Sequence, residues 1–242
     1  MAPPHLTDGL ILAIDTSTAA TSVAVVAGAR AAGPAAEPAV GPMAERVEVA
    51  ANRHGELLAP LVRSCLREAG ATVADVALVA VGNGPGPFTG LRVGLVTARA
   101  LGAALGVEVR GACSLDVIAA AHRGRPIAAV TDARRREAYW ATYDATGRRI
   151  RGPAVDRPGQ LATALRLAGG PVPLLAGAGA LLHREALVAA GGFEVSEADP
   201  YPRAALLAAL ALDPAVAGPA RPLYLRRPDA QPPARRKQVT PA

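Results

Sequence analysis

Short apolar runs bounded by turn residues alternate along this chain with longer stretches whose apolar side chains recur three and four apart. The first kind reads as buried strands and the second as helices. Leu10 to Ile14 (LILAI) is such a run, and Thr21 to Val26 (TSVAVV) follows it after the polar turn Asp15-Thr16-Ser17-Thr18, so the two form a hairpin. Glu45 to Ala50 (ERVEVA) alternates polar and apolar residues as an edge strand does. Leu57, Leu58, Leu61, Val62, Cys65, Leu66 and Ala69 then repeat at helical spacing, with Gly70 as the stop. Pro60 lies inside this pattern and lacks the N–H that would bond the carbonyl of Glu56. It predicts a kink, or a helix that becomes regular only near Ala59.

Asp75 to Val81 (DVALVAV) is a further buried strand, and the six residues after it, Gly82 to Pro87, hold three Gly and two Pro. That composition permits positive φ at some positions and sets φ at others, so the loop is tightly shaped. Thr89 fits as the N-cap of a helix over Gly90 to Leu105. In that helix Gly90, Gly94, Ala98 and Gly102 recur every four residues and form one smooth ridge. Each glycine costs a helix about 0.5–1 kcal/mol relative to alanine, and close approach of a second helix would offset it. Leu91, Leu95, Leu101 and Leu105 remain to face the sheet.

The second half repeats the theme. Gly106 to Gly111 is strand-like, Ser114 caps a short helix over Leu115 to His122, and Pro126 to Thr131 pairs with Glu137 to Asp144 around Asp132-Ala133-Arg134-Arg135-Arg136. Val172 to Ala176 reads as a strand. Leu161 to Ala168, Leu181 to Ala190 and Arg203 to Leu212 read as helices. Strand pairs followed by helices, twice over, predict an α/β protein of two stacked subdomains with mixed sheets and a cleft between them. The divisions fall at 1–108 and 109–227, with a low-complexity, flexible insertion at 28–43 and a proline-rich, disordered tail at 228–242.

Composition narrows the function classes. Aromatic residues are only 3% of the chain, which leaves little stacking surface for single-stranded nucleic acid. The net charge of +6 is carried almost wholly by arginine, Lys237 being the one lysine, so it reflects residue usage and is not by itself a nucleic-acid signature. Cys65 and Cys113 show no CxxC or zinc spacing. No apolar run of about 18 residues and no signal-peptide pattern occurs, so no membrane partner is expected and the location expected is cytoplasmic.

Candidate chemistry is sparse. The chain has no GxxxxGK[ST], no GxGxxG after a strand and no HExxH. His54 has Leu58 four residues on, so a helical histidine pair for a metal is absent, and His54 reads as a solvated residue or a helix-start residue. Gly177-Ala178-Gly179-Ala180 carries only a weak nucleotide signal. The Asp15 to Thr18 turn has two readings: ordinary turn chemistry, or groups presented to a phosphate or metal ion at the end of a central strand. In the enzymatic reading, a nucleotide-dependent transferase or kinase would use Asp15 and Asp132 to hold a metal–nucleotide across the cleft.

Five stretches in order carry a family resemblance: ILAIDTSTAATSVAV, HGELLAPLV, VGNGPGPFTGLRVGL, DARRREAYWATY and PLYLR. Together they resemble the TsaB (YeaZ) family of tRNA threonylcarbamoyladenosine biosynthesis, over Leu10 to about Arg226. The resemblance implies an actin-like ATPase (ASKHA, ribonuclease-H-like) fold that has lost the catalytic site of its paralogue TsaD, whose HxxxH metal pair is matched here by His54 and Leu58. It implies a non-catalytic scaffold, without catalytic residues, metal or cofactor, that dimerises with a TsaD-type protein and helps recruit a TsaE-type ATPase. A homodimer is the alternative when the chain is alone, and tRNA is met only through the complex. The partner surface it implies lies on the two N-terminal helices, at Leu57, Leu61, Cys65, Gly90, Val93, Gly94, Ala98, Leu101 and Gly102. Asp15, Thr16, Ser17 and Asp132 would be the remnant of a nucleotide pocket, with weak or vestigial binding at most.

Overall fold

The computed structural model describes residues 9–28, 42–168 and 171–226. Most of the expected insertion and all of the expected tail lie outside them. The first sheet contains β1 (Leu10–Asp15), β2 (Ala20–Ala27), β3 (Pro42–Val49), β4 (Val76–Gly82) and β5 (Glu108–Ala112). Its second element type begins with α1 (His54–Glu68) and α2 (Phe88–Leu105), followed by α3 (Ser114–Ala120). The second sheet is built from β6 (Ile127–Asp132), β7 (Ala138–Tyr143), β8 (Arg149–Asp156) and β9 (Leu174–Ala176), with α4 (Pro158–Leu167), α5 (Ala178–Leu182) and α6 (Arg184–Gly191). The last elements among the described residues are α7 (Ala204–Leu212) and the two-residue β10 (Gly218–Pro219).

The first sheet runs β10-β5-β4-β1-β2-β3. β1, β2 and β3 are antiparallel in turn, whereas β4 and β5 are parallel to β1. The central strand β1 is therefore apolar on both faces, as a strand covered twice must be. Leu12 and Ile14 face one side and pack with Leu58, Leu61, Val62, Leu91 and Leu95 of α1 and α2. Ile11 and Ala13 face the other and pack with Leu207, Ala208 and Ala211 of α7. β3 forms the edge, as its alternation predicts, and carries Glu45, Arg46 and Glu48, charges that discourage further strand pairing. The second sheet runs β8-β7-β6-β9, with α4, α5 and α6 on one face. α3 lies between the two sheets: Leu115 and Ile118 join the core under β6 and β7, and Val117 joins that of α7.

Several sequence expectations change. β5 and β10 both belong to the first sheet and α7 covers its second face, so the first layer draws on residues placed in the 109–227 subdomain. α7 is apolar all round because it is enclosed, with no exposed residue along its length. The helix expected over Leu181 to Ala190 is two helices meeting at His183. β8, with a single strongly apolar residue in its first half, gave no alternation to read and was not foreseen. α1 runs unbroken through Pro60, which is exposed on the same outward side as Glu56, the residue whose carbonyl it leaves unbonded. α2 has the 18-residue length and mean hydropathy, 1.2, of a membrane span by composition alone. Its Leu91, Leu95 and Ala98 are instead buried in the first core.

Candidate functional site

The turn after β1, the start of α1, the loop between β4 and α2 and the start of α3 meet at one end of the first sheet. Asp15 sits at their centre, 1% exposed. Its Oδ1 accepts hydrogen bonds from the backbone N–H and the hydroxyl of Ser17, at 2.8 and 2.7 Å. Its Oδ2 accepts one from the Ser114 hydroxyl at 2.6 Å. The Ser114 oxygen in turn accepts the Gly84 N–H at 3.2 Å, and the Gly84 carbonyl accepts the Ser114 N–H at 2.8 Å. Ser114 thus ties β1 to the glycine–proline loop instead of capping α3, the role its sequence position predicts. Burial pushes the Asp15 carboxyl above its usual range, against the three hydrogen bonds, which favour the charged form.

Gly82 explains why Asp15 fits. A Cβ there would lie 1.9 Å from Asp15 Oδ2 and 2.8 Å from Ser114 Oγ. Gly86 is held in the same way, since its Cβ would lie 2.1 Å from the Ser17 carbonyl oxygen. The loop is therefore laid down on the turn residue by residue, and its glycines are places of contact.

Thr16 carries the contact to α2. Its hydroxyl donates to the Gly90 carbonyl at 2.7 Å and accepts the Gly94 N–H at 3.0 Å, joining both ends of one helical rung. A Cβ on Gly94 would stand 2.5 Å from this hydroxyl, and one on Gly90 would stand 2.8 Å from the Thr16 carbonyl oxygen. Gly102 is needed against Val109, and Ala98 is wholly buried in the core. The ridge of small residues thus admits this protein's own β1 turn and sheet, which corrects its assignment to a partner. Cys65 is also inward, its thiol donating to the Val23 carbonyl and raised by burial to about 11. Burial likewise pushes Cys113 up to about 12. Of the other residues assigned to a partner surface, Leu61 is buried, and Leu57, Val93 and Leu101 are half-buried where α1 and α2 border the core.

His54 is the first residue of α1, as expected, but it is buried. Its Nδ1 lies 2.8 Å from the Thr21 hydroxyl. Burial lowers its pKa from the ordinary 6.5, and the Arg134 guanidinium adds to that effect while the Thr18 backbone opposes it. The turn between β6 and β7 carries Arg134. Asp132, the second predicted carboxylate, is engaged on its own turn. Its Oδ1 accepts the Arg134 N–H at 2.7 Å and its Oδ2 lies 3.5 Å from the Arg134 guanidinium.

That turn has an unusual backbone. Arg134, Arg135 and Arg136 all have positive φ, at 62, 54 and 61°. Each side-chain-bearing residue in this region costs roughly 1–2 kcal/mol, so the surrounding structure must hold it there. The Ala133 N–H donates to the Glu137 carbonyl at 2.9 Å, and Arg226 donates to the Ala133 carbonyl at 2.8 Å while pairing with Glu137. Gly177 and Gly179, the weak nucleotide signal, pack against the Val130 carbonyl and the Thr131 backbone. Among the described residues no group of three or more His, Cys, Asp or Glu is placed to hold a metal.

Two layered mixed sheets, the first ordered 3-2-1-4-5 with β10 added beyond β5 and an acidic turn after β1, define the class: an actin-like, ribonuclease-H-like α/β protein. Comparison with known proteins places it more closely. The family model for TsaD, tRNA N6-adenosine threonylcarbamoyltransferase, matches residues 47–196. A Mycobacterium tuberculosis protein of uncharacterised function is 45% identical over 92% of this chain and 94% of its own length. The Escherichia coli tRNA threonylcarbamoyladenosine biosynthesis protein TsaB is 34% identical over 55% of this chain and 54% of its own. The solved structure of YeaZ from Pseudomonas aeruginosa covers 90% of this chain and 100% of that one, at 29% identity and a TM-score of 0.70. The chain belongs to the TsaB (YeaZ) family.

Proposed function

We propose that this chain works in tRNA threonylcarbamoyladenosine biosynthesis as a non-catalytic subunit that pairs with a TsaD-type transferase and helps bring a TsaE-type ATPase to the pair. The pathway reading rests on the family, through relatives named for that biosynthesis. The observation that carries the non-catalytic role is the state of Asp15. Both of its oxygens accept hydrogen bonds from Ser17 and Ser114, and the group is 1% exposed, in space that only a glycine at 82 leaves. A carboxylate that holds a metal–nucleotide must present an oxygen to it, and this one is buried in the fold. The comparable hairpin of the second sheet carries three arginines where an approaching phosphate would need open backbone.

The partner surface then belongs to the outward side of α1 and α2. Exposed Ala59, Arg63, Val96 and Ala100 lie there, with half-buried Leu57, Val93 and Leu101 beside them. Val96 is 63% exposed, an apolar side chain that a partner would cover. Light scattering on a sizing column tests the pairing, with the chain alone and then mixed with the TsaD-type protein of the same source. A one-to-one complex that modifies tRNA with the other pathway proteins and ATP, when neither subunit does so alone, supports the proposal. Failure to pair, with ATP turnover by this chain alone, would overturn it.

A further inference from the structure

A strip of surface that the subunit role does not use joins α2 to the arginine turn. Phe88 and Tyr224 are two of the few aromatic residues in the chain, and both are exposed, at 41 and 43%. Their ring centroids lie 5.3 Å apart at an interplanar angle of 31°. The Arg92 guanidinium lies over Phe88, 3.9 Å from the ring centroid, and its Nε donates to the Tyr224 hydroxyl at 3.1 Å. Two residues past Tyr224, Arg226 binds the Ala133 carbonyl and pairs with Glu137. The strip therefore continues into Arg134, Arg135 and Arg136, all exposed. It carries the guanidinium groups of Arg92, Arg134, Arg135, Arg136 and Arg226 against the carboxylates of Asp132 and Glu137, which already bind Arg134 and Arg226.

We propose that this strip binds a single-stranded segment of RNA, with phosphates on Arg134 and Arg136 and a base on the Phe88–Tyr224 pair. Guanidinium groups match phosphate geometry, and exposed rings backed by arginine give an unstacked base a flat surface. Three adjacent left-handed residues put three guanidinium side chains within one turn of backbone, at a conformational cost that glycine at these positions would avoid. An acidic protein would answer the charge but leave the ring pair without a purpose. The inference rests on the chain's proposed place in tRNA modification. It would place what little stacking surface the few aromatic residues leave at the Phe88–Tyr224 pair.

The test is fluorescence anisotropy with the full chain and a labelled anticodon stem-loop RNA across a salt series, alone and with the TsaD-type partner. The double variant Arg134→Gly/Arg136→Gly retains the turn, since glycine accepts positive φ without strain. It is expected to bind at least tenfold more weakly and to lower the slope of log affinity against log salt by about 1.4, two phosphates at about 0.7 each. Tyr224→Ala is expected to weaken binding about fivefold or more while leaving the slope unchanged. Unchanged affinity and slope in these folded variants, or no salt-dependent binding by the wild type, would overturn the inference. Loss of the sizing-column complex with RNA binding intact would also overturn it and make the strip a protein interface. Partner pairing is read separately on the column, so failure of the subunit role and failure of the RNA strip give different results.

Discussion

Thr16 shows how one residue can set the identity of two distant ones. Its hydroxyl reaches across to α2 and satisfies a carbonyl and an N–H of the same rung, leaving no room for a side chain at Gly94, while its carbonyl oxygen does the same at Gly90. Thr16→Val keeps the shape and removes both hydrogen bonds. It is expected to destabilise the isolated chain by about 1–3 kcal/mol in urea unfolding. Gly94→Ala is expected to cost a similar amount, about 1–3 kcal/mol, by driving a methyl group into that hydroxyl. If Gly94→Ala weakened pairing with a TsaD-type protein while stability stayed unchanged, the inward placement of the ridge would be wrong. His54 gives a pH signature. Its folded-state pKa is lowered by burial, so the unfolded chain takes up a proton near the ordinary 6.5 while the folded chain does not. Its share of stability is therefore complete above that pH and is lost as pH falls toward the lower folded value, at up to about 1.4 kcal/mol per unit. His54→Gln should flatten that part of a urea midpoint against pH profile, and an unchanged profile would show the imidazole to titrate freely.

At the scale of elements, strands and long helices were legible because burial on two faces leaves a continuous apolar run and burial on one leaves a helical stripe. β1, β4, α1 and α2 are of these kinds. Helix ends were less legible. Thr89 and Ser114 look like caps, yet α2 starts at Phe88 and the Ser114 hydroxyl is claimed by Asp15. The caps of α7 come from elsewhere: Ser22 accepts the Ala204 N–H at 2.9 Å and Glu45 accepts the Ala205 N–H at 3.0 Å, while pairing with Arg203. The arginine turn was visible as a basic cluster, but its left-handed backbone was not, since arginine has no preference for it. Arg136→Gly is expected to raise stability by about 1 kcal/mol, observed as a higher melting temperature in calorimetry, because glycine relieves the strain. A melting temperature that falls would mean that the Arg136 side chain stabilises the turn.

The molecule as a whole does not divide where its sequence pattern divides. α7 and β10 return to the first sheet after the second is complete, and Ile11, Ala13, Leu78 and Ala80 depend on α7 for cover. A fragment of residues 1–113 would expose that face. It is expected to aggregate or remain unfolded on a sizing column, whereas a compact monomer with dispersed NMR signals would show the first layer to be self-sufficient. The order of apolar runs and the glycine–proline loop by themselves determined the α/β class and most element positions, because those depend on local periodicity and local turn chemistry, and the resemblance of five motifs pointed to the family. Tertiary structure alone decided which way the glycine ridge faces, that His54 is buried, that Asp15 is spent on Ser17 and Ser114, and that Phe88 meets Tyr224. Apart from the Asp15–Ser17 pair, each is a contact between residues far apart in the chain, and the spacing of residues along a sequence carries no distance across a core.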